Sequence, residues 1–111
     1  MANIKSPEAP VLAIGAAGVD VVGRLHAETQ AGTSTPAQIR FSFGGVARNV
    51  AENLARLGHA VNLITAVGSG YFGDQLIKQI SDAGVKTTAT LRTSDPTGSY
   101  IAVFSQREKV F

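Results

Sequence analysis

The most informative segment of this chain is Phe43-Gly-Gly-Val-Ala-Arg-Asn-Val-Ala-Glu-Asn-Leu-Ala-Arg-Leu-Gly58. It joins a glycine pair to a predicted helix that carries Asn49 near its start. Because glycine has no Cβ, Gly44 and Gly45 let the backbone come very close to a ligand, beside N–H groups that are free at a helix N-terminus. Asn49 can donate and accept hydrogen bonds there, as sugar hydroxyls require. The stretch therefore predicts a polyol-binding corner.

The composition is that of an ordinary globular domain. The chain has 111 residues, of which 44% are hydrophobic and 16% are charged. Its ten basic and eight acidic residues are spread along the chain, so no nucleic-acid partner is expected. It has no cysteine, which excludes a cysteine nucleophile and fits a reducing compartment, so we expect a cytoplasmic location. In the sequence, no Cys, Asp or Glu stands at metal-ligand spacing from His26 or His59, so no metal site is predicted.

Several short apolar runs have the length of buried strands. The first, residues 11–17, lies between Pro10 and Gly18 and suits a central parallel strand covered on both faces. It could also be a signal-peptide core after Lys5, but the positive region before it is weak. None of the runs approaches the roughly 20 apolar residues of a membrane-spanning helix. The other predicted strands cover residues 19–25, 39–43, 61–67, 87–92 and 99–104.

Two segments have the periodicity of amphipathic helices, and Gly58 and Gly84 are suitable residues to end them. In the first helix we expect one apolar stripe to pack on a sheet. Alternating strands and helices predict an α/β fold with a parallel sheet flanked by helices. The stripe of the first helix is Val46, Val50, Leu54 and Leu57. The second helix carries Phe72, Leu76, Ile77, Ile80 and Ala83.

The remaining segments predict loops and ends. Residues 27–37 lack periodicity and are predicted to be a loop, whereas Asp95-Pro-Thr-Gly98 has the pattern of a type I turn between two strands. Residues 1–10 offer little to pack, and we expect a mobile leader there. The last residues, Lys109-Val-Phe111, follow a strand directly, so residues 11–111 are predicted to form one incomplete domain.

The Phe43–Gly58 segment resembles the first signature of the ribokinase-like (PfkB) carbohydrate and nucleoside kinases. That signature consists of a glycine pair, three further residues, an asparagine (here Asn49), and a helix that ends in Leu-Gly. The resemblance extends upstream to a strand that ends in Asp20 and downstream to Ala66-Val-Gly-Ser-Gly-Tyr-Phe-Gly-Asp74. It covers the N-terminal part of that family. It implies a ribokinase-like, Rossmann-like sheet flanked by helices, with lid β-strands. Within the family, residues 40–49 are most similar to pseudouridine kinases and related nucleoside kinases.

A kinase of this kind must hold several sugar hydroxyls and present one to the γ-phosphoryl group. The resemblance implies that Asp20, Gly44, Gly45 and Asn49 bind this acceptor, a small-molecule sugar or nucleoside. It also implies ATP and Mg²⁺ as cofactors and a homodimer through lid strands. From position alone, Asp20 could equally be a turn or cap residue, and Asn49 an ordinary amide on a helix surface. A lone Arg48 on a first helical turn is expected to be solvated.

The chain departs from the family pattern in several places. Gly18 stands where many members carry Asn, Val46 replaces a polar residue of some ribokinases, and Ser69-Gly70 replaces acidic residues. The second family signature, a Gly-Ala-Gly-Asp turn that holds the catalytic base and the anion hole, is absent from the 111 residues. No catalytic residue is therefore expected in this chain, and we expect it to be inactive by itself.

Two other interpretations stay open. Gly68-Ser-Gly-Tyr-Phe-Gly73 has the G-x-G-x-x-G pattern after an apolar strand, with Asp95 downstream, which is typical of an NAD(P)-type dinucleotide-binding module. Tyr71 and Phe72 are bulky for such a turn. The third interpretation is an interaction module in which the strand at residues 99–104 pairs edge to edge with another copy.

Overall fold

The computed structural model describes residues 9–106. The predicted leader, residues 1–10, lies outside this range except for residues 9 and 10, and so does the chain end at residues 109–111. The chain alternates strands and helices, as predicted for an α/β fold. In order, the elements are β1 (Val11–Ile14), β2 (Gly18–Leu25), β3 (Ala37–Gly44), α1 (Val46–Arg56), β4 (Val61–Ile64), β5 (Ala66–Gly68), α2 (Tyr71–Asp82), β6 (Leu91–Thr93) and β7 (Ser99–Phe104).

The described strands form three small sheets. β1 pairs in parallel with β4, and β5 pairs in parallel with β6. The third sheet has the order β3-β2-β7, in which β2 is antiparallel to β3 and parallel to β7. We call this three-stranded sheet the lid sheet. α1 packs against β1 and β4, and α2 packs against β5 and against β2 of the lid sheet.

Three strand predictions are wrong in their bounds. β1 ends at Ile14, because the backbone bends at Gly15, whose missing Cβ would come within 3.0 Å of the Ala47 Cβ. The predicted strand 61–67 is divided at Thr65 into β4 and β5, which belong to different sheets. The predicted strand 87–92 begins with a turn, closed by the Thr90 N–H donating to the carbonyl of Thr87 at 3.0 Å, so that only Leu91–Thr93 is extended.

The apolar stripe predicted for α1 is also wrong. Val46 and Leu57 are 78% and 75% exposed, whereas Ala47 and Ala51 face the core. The helix packs against β1 and β4, and side chains with a single methyl group allow that close approach. Leu54 alone of the predicted stripe lies against the core.

The second helix follows its prediction more closely. Leu76 and Ile80 are fully or almost fully buried, and they join the strand residues Leu63 and Val67 in the core. Phe72 lies at the edge of this face and is 42% exposed. The helix ends two residues before the predicted Gly84, and it packs against β5 and β2.

A polar cluster links the two helices. Arg48 is only 7% exposed, and its Nη2 pairs with Glu52 at 2.7 Å while its Nε donates to Gln79 of α2 at 3.1 Å. Gln79 in turn donates to Glu52 at 3.2 Å, and Arg56 pairs with the same carboxylate at 3.0 Å. The expectation of a solvated Arg48 is therefore wrong, because α2 supplies an acceptor that the local sequence does not reveal.

The first testable prediction concerns the acid sensitivity of this cluster. The hydrogen bond from Arg56 and the charges of Arg48 and Arg56 lower the pKa of Glu52 from its ordinary value of 4.5, against the opposing effect of burial. A lowered folded-state pKa contributes stability above the unfolded pKa, and this contribution is lost as the pH falls through the folded value. Glu52→Gln should therefore lower the melting temperature most above about pH 5, and the difference should shrink below about pH 4.

Thermal unfolding between neutral and acidic pH checks this prediction. Asp82→Asn is the matched control, because it removes a carboxylate whose ion pair with Lys78 is exposed. That variant should differ little from the unmodified protein. If Glu52→Gln lowers the melting temperature by the same amount at every pH, the stabilising role of the ionised Glu52 carboxylate is contradicted.

Candidate functional site

Asp20 lies inside the lid sheet. It is the third residue of β2, half-buried, and directly opposite Ser42 in β3 and Tyr100 in β7. The prediction that Asp20 ends the first strand is therefore wrong. The chain leaves β1 at Ile14, bends, and begins a new strand before it reaches the carboxylate.

The Asp20 carboxylate lies directly against Gly44, the last residue of β3. A Cβ at Gly44 would overlap the Oδ2 of Asp20 and would come within 3.0 Å of its Oδ1. Only glycine leaves this space to the carboxylate. The close approach places an acceptor group beside the junction between β3 and α1.

Gly45 forms the junction itself. Its φ of 98° lies in the region that favours glycine, and a Cβ there would overlap the carbonyl of Ala16 and come within 2.7 Å of the Ala17 Cα. The same Ala16 carbonyl accepts the N–H of Arg48 at 3.2 Å. The first turn of α1 is thus held against the segment between β1 and β2, next to the Asp20 strand.

Asn49 is exposed on the first turns of α1, where its N–H donates to the carbonyl of Gly45 at 2.9 Å. Its side-chain oxygen accepts a hydrogen bond from the Nη1 of Arg48 at 2.7 Å. Within residues 9–106, neither the Nδ2 of Asn49 nor the Asp20 carboxylate has a hydrogen-bond partner or an ion-pair partner. The site therefore offers carboxylate acceptors and amide donors to a ligand.

The face of the lid sheet that carries Asp20 is polar along its length. Cross-strand register puts Arg40 opposite Val22, and Gln38 opposite Arg24, on this same face. A recess of about 270 Å³ opens here. The Arg24 guanidinium lies 5.0 Å from the ring centroid of Phe104, which holds it over the aromatic face. The residues that line the recess form a polar strip beside Asp20: Val22, Arg24, Gln38, Arg40 and Ser42. This polar strip was not predicted from the sequence, although the alternation of polar and apolar residues at 38–42 indicates it.

The opposite face of the lid sheet is apolar. Phe41 stacks on Phe72 of α2 with ring centroids 5.8 Å apart, and the two rings line a groove of about 340 Å³. Ile39, Phe41 and Ile101 are each more than half exposed on this face. The lid sheet therefore presents one polar surface and one apolar surface.

The Gly68–Gly73 turn has a packing explanation. The Gly68 N–H donates to the Thr97 Oγ1 at 2.9 Å, and a Cβ at Gly73 would overlap the carbonyl of Gly68. Gly70 has no neighbouring atom within 4 Å of the position of a Cβ. The predicted type I turn nearby is a bend at residues 94–95 and connects strands of different sheets. Neither finding tests the dinucleotide-binding interpretation, which stays a prediction.

Metal-binding clusters and membrane-spanning helices are both absent from residues 9–106. No group of three or more His, Asp or Glu side chains in this range could hold a metal ion. No helix in the same range is long and apolar enough to cross a membrane.

Comparisons with known proteins give a consistent result. The profile of the pfkB family carbohydrate kinases matches residues 9–111. The chain is 39% identical to pseudouridine kinase from Escherichia coli (strain K12) over 94 residues, which are 84% of this chain and 30% of that protein. The chain is also 30% identical to a carbohydrate kinase from Agrobacterium tumefaciens, with a TM-score of 0.82 over 93% of this chain and 34% of that one.

A more distant structure shows the fold alone. Ribokinase from Arabidopsis thaliana, solved in complex with ribose and ATP, is 19% identical with a TM-score of 0.85 over 92% of this chain and 34% of that one. The architecture is therefore ribokinase-like, and the chain spans about a third of the length of these relatives. Since the family profile covers almost every residue, the chain belongs to the pfkB family of carbohydrate kinases.

Proposed function

We propose that this chain is the acceptor-binding portion of an ATP-dependent kinase that transfers the γ-phosphoryl group to a hydroxyl of a sugar or nucleoside. One observation carries the proposal. The Asp20 carboxylate lies against Gly44 with no partner among residues 9–106, beside a helix whose Asn49 has free N–H donors. Family membership supports the reaction class.

The site suits polyol chemistry because a hydroxyl is both a donor and an acceptor. A hydroxyl can donate its hydrogen to the Asp20 carboxylate while another hydroxyl oxygen accepts from the Nδ2 of Asn49. Two such contacts fix the orientation of a sugar ring. Phosphoryl transfer depends mainly on positioning and on electrostatic stabilisation, so a rigid grip on the acceptor contributes directly to the rate.

The donor nucleotide and its metal ion belong to the proposal for the full-length protein. ATP and Mg²⁺ would supply the phosphoryl group and neutralise its developing charge. The Gly-Ala-Gly-Asp signature, in which the family resemblance implies the catalytic base and the anion hole, is absent from the 111 residues. We therefore assign no catalytic residue here, and the 111-residue chain alone is proposed to be inactive.

Pseudouridine is our preferred acceptor. The relative with that activity in its name is 39% identical to this chain. The polar strip beside Asp20 also supports a nucleoside, since Arg40 and Gln38 can hydrogen-bond to a base that extends from the ribose. A free sugar would leave this strip without a partner.

Two further proposals concern assembly and location. The exposed apolar face of the lid sheet, with Ile39, Phe41 and Ile101, supports a homodimer through the lid strands. A cytoplasmic location is proposed on the absence of cysteine from the sequence.

The second testable prediction is the reaction itself. A full-length reading frame that contains this chain should release ADP from ATP and Mg²⁺ with pseudouridine, and less with other nucleosides, ribose and hexoses. The 111-residue chain alone is the control and should release none. If no acceptor in the panel gives turnover, and the protein shows saturable NAD binding that Gly70→Ala weakens, the dinucleotide-binding interpretation is favoured instead.

The third testable prediction concerns Asp20. In the same full-length protein, Asp20→Asn should raise the KM for the acceptor by about 10- to 100-fold, since hydrogen bonds to a charged group are among the strong ones. The KM for ATP should change little. Asp82→Asn is the matched control, because its carboxylate is exposed at the far end of α2. If the acceptor KM is unchanged in Asp20→Asn, Asp20 does not bind the acceptor and the main site assignment is wrong.

The fourth testable prediction uses Gly44. Gly44→Ala should push the Asp20 carboxylate out of its position and raise the acceptor KM by about tenfold or more, because the new methyl group would occupy the space of Oδ2. Gly70→Ala is the matched control, since open space surrounds that position. Steady-state kinetics and the melting temperature of both variants separate binding from folding. Equal acceptor KM values for the two variants would contradict the proposed contact.

A further inference from the structure

We propose that Arg48 is a positioning residue that fixes the side-chain amide of Asn49 in the one orientation that presents its N–H groups to the acceptor. This inference rests on the proposed role of Asn49 in acceptor binding. It assigns a function to the residue before the family asparagine, which the sequence predicted to be solvated.

The contact between the two residues has a defined polarity. The Nη1 of Arg48 lies 2.7 Å from the Oδ1 of Asn49. A guanidinium has only donors, so it can bind the amide oxygen and would repel the amide nitrogen. A half-turn of the Asn49 amide would therefore bring N–H against N–H. The guanidinium selects the orientation in which both Nδ2 hydrogens point away from Arg48.

Arg48 is itself held rigidly. Its Nε donates to the Gln79 Oε1 at 3.1 Å, and its Nη2 pairs with the Glu52 Oε2 at 2.7 Å. Each of the three guanidinium nitrogens thus has its own partner, on two different helices. Only 7% of Arg48 is exposed, and Gln79 also donates to Glu52, which closes the cluster. A planar, buried fork of this kind transmits the geometry of the core to an exposed amide.

The arrangement matters because Asn49 itself is exposed. A solvated amide rotates freely, and a ligand that needs one orientation must then order it on binding. Arg48 provides that order before the ligand arrives. Its burial places it behind Asn49, so it acts through the amide and is not itself proposed to contact the acceptor.

The fifth testable prediction compares two arginines in the full-length protein. Arg48→Met should weaken acceptor binding by about 3- to 30-fold, because the Asn49 amide loses its fixed orientation. Arg56→Met is the matched control: it also removes an ion pair to Glu52, but Arg56 is exposed and is not among the recorded partners of Asn49. Titration calorimetry with pseudouridine gives the affinities, and melting temperatures report folding. Equal affinities in the two variants would overturn the proposal.

Two more variants keep the test decisive if Arg48→Met fails to fold. Arg48→Lys retains the charge, but one ammonium group cannot reach Asn49, Glu52 and Gln79 together, so acceptor binding should still weaken. Asn49→Asp retains a strong bond to Arg48 and should fold normally, yet it has no N–H to donate and should lose acceptor affinity. Normal binding by either folded variant would overturn the assigned roles.

A spectroscopic readout separates this inference from the proposed kinase activity. In the unmodified protein the Nδ2 group of Asn49 should give a rigid ¹⁵N order parameter above about 0.8, and Arg48→Met should lower it below about 0.6. Absence of acceptor binding by the unmodified protein would refute the proposed function, while the order parameters would still test the positioning. A mobile Nδ2 group in the unmodified protein would refute the positioning itself.

Discussion

The close approach between the Asp20 carboxylate and Gly44 is the constraint on which the site depends. The carboxylate occupies the space that a Cβ would fill, and the next residue, Gly45, approaches the Ala16 carbonyl in the same way. Together these two contacts attach the lid sheet to the start of α1. A Cβ at Gly44 would displace the Asp20 carboxylate, and a Cβ at Gly45 would collide with the Ala16 carbonyl at the start of α1. The geometry of the proposed binding corner therefore requires glycine at both positions.

A buried polar cluster supports the helix that forms one side of this corner. The Arg48, Glu52 and Gln79 side chains join α1 to α2, and the small residues Ala47 and Ala51 let α1 lie close to its sheet. The polar cluster therefore connects the packed core to the exposed Asn49 amide. Stability and the proposed binding geometry depend on the same residues, so a substitution in the cluster should weaken acceptor binding before it unfolds the protein.

Local features of the structure could be predicted from the sequence, and long-range ones could not. The two helices end at Arg56 and Asp82, each two residues before a predicted terminal glycine, Gly58 or Gly84, with positive φ. Periodicity and a terminal glycine are local signals, so the sequence predicts these ends. The buried face of α1 was predicted wrongly, since the spacing between helix and sheet, and not hydrophobicity, selects Ala47 and Ala51. Arg48 donates a hydrogen bond to Gln79, which lies 31 residues later in the sequence, and no local motif predicts such a contact.

The most direct test of the proposed site is a crystal structure of the full-length protein with pseudouridine bound. We expect an oxygen of the Asp20 carboxylate and the Nδ2 of Asn49 each to lie within about 3.2 Å of a ribose hydroxyl oxygen. Arg48 should still contact the Asn49 Oδ1. A ligand bound elsewhere, such as over the open glycine turn at Gly70, with Asp20 and Asn49 unoccupied, would contradict it.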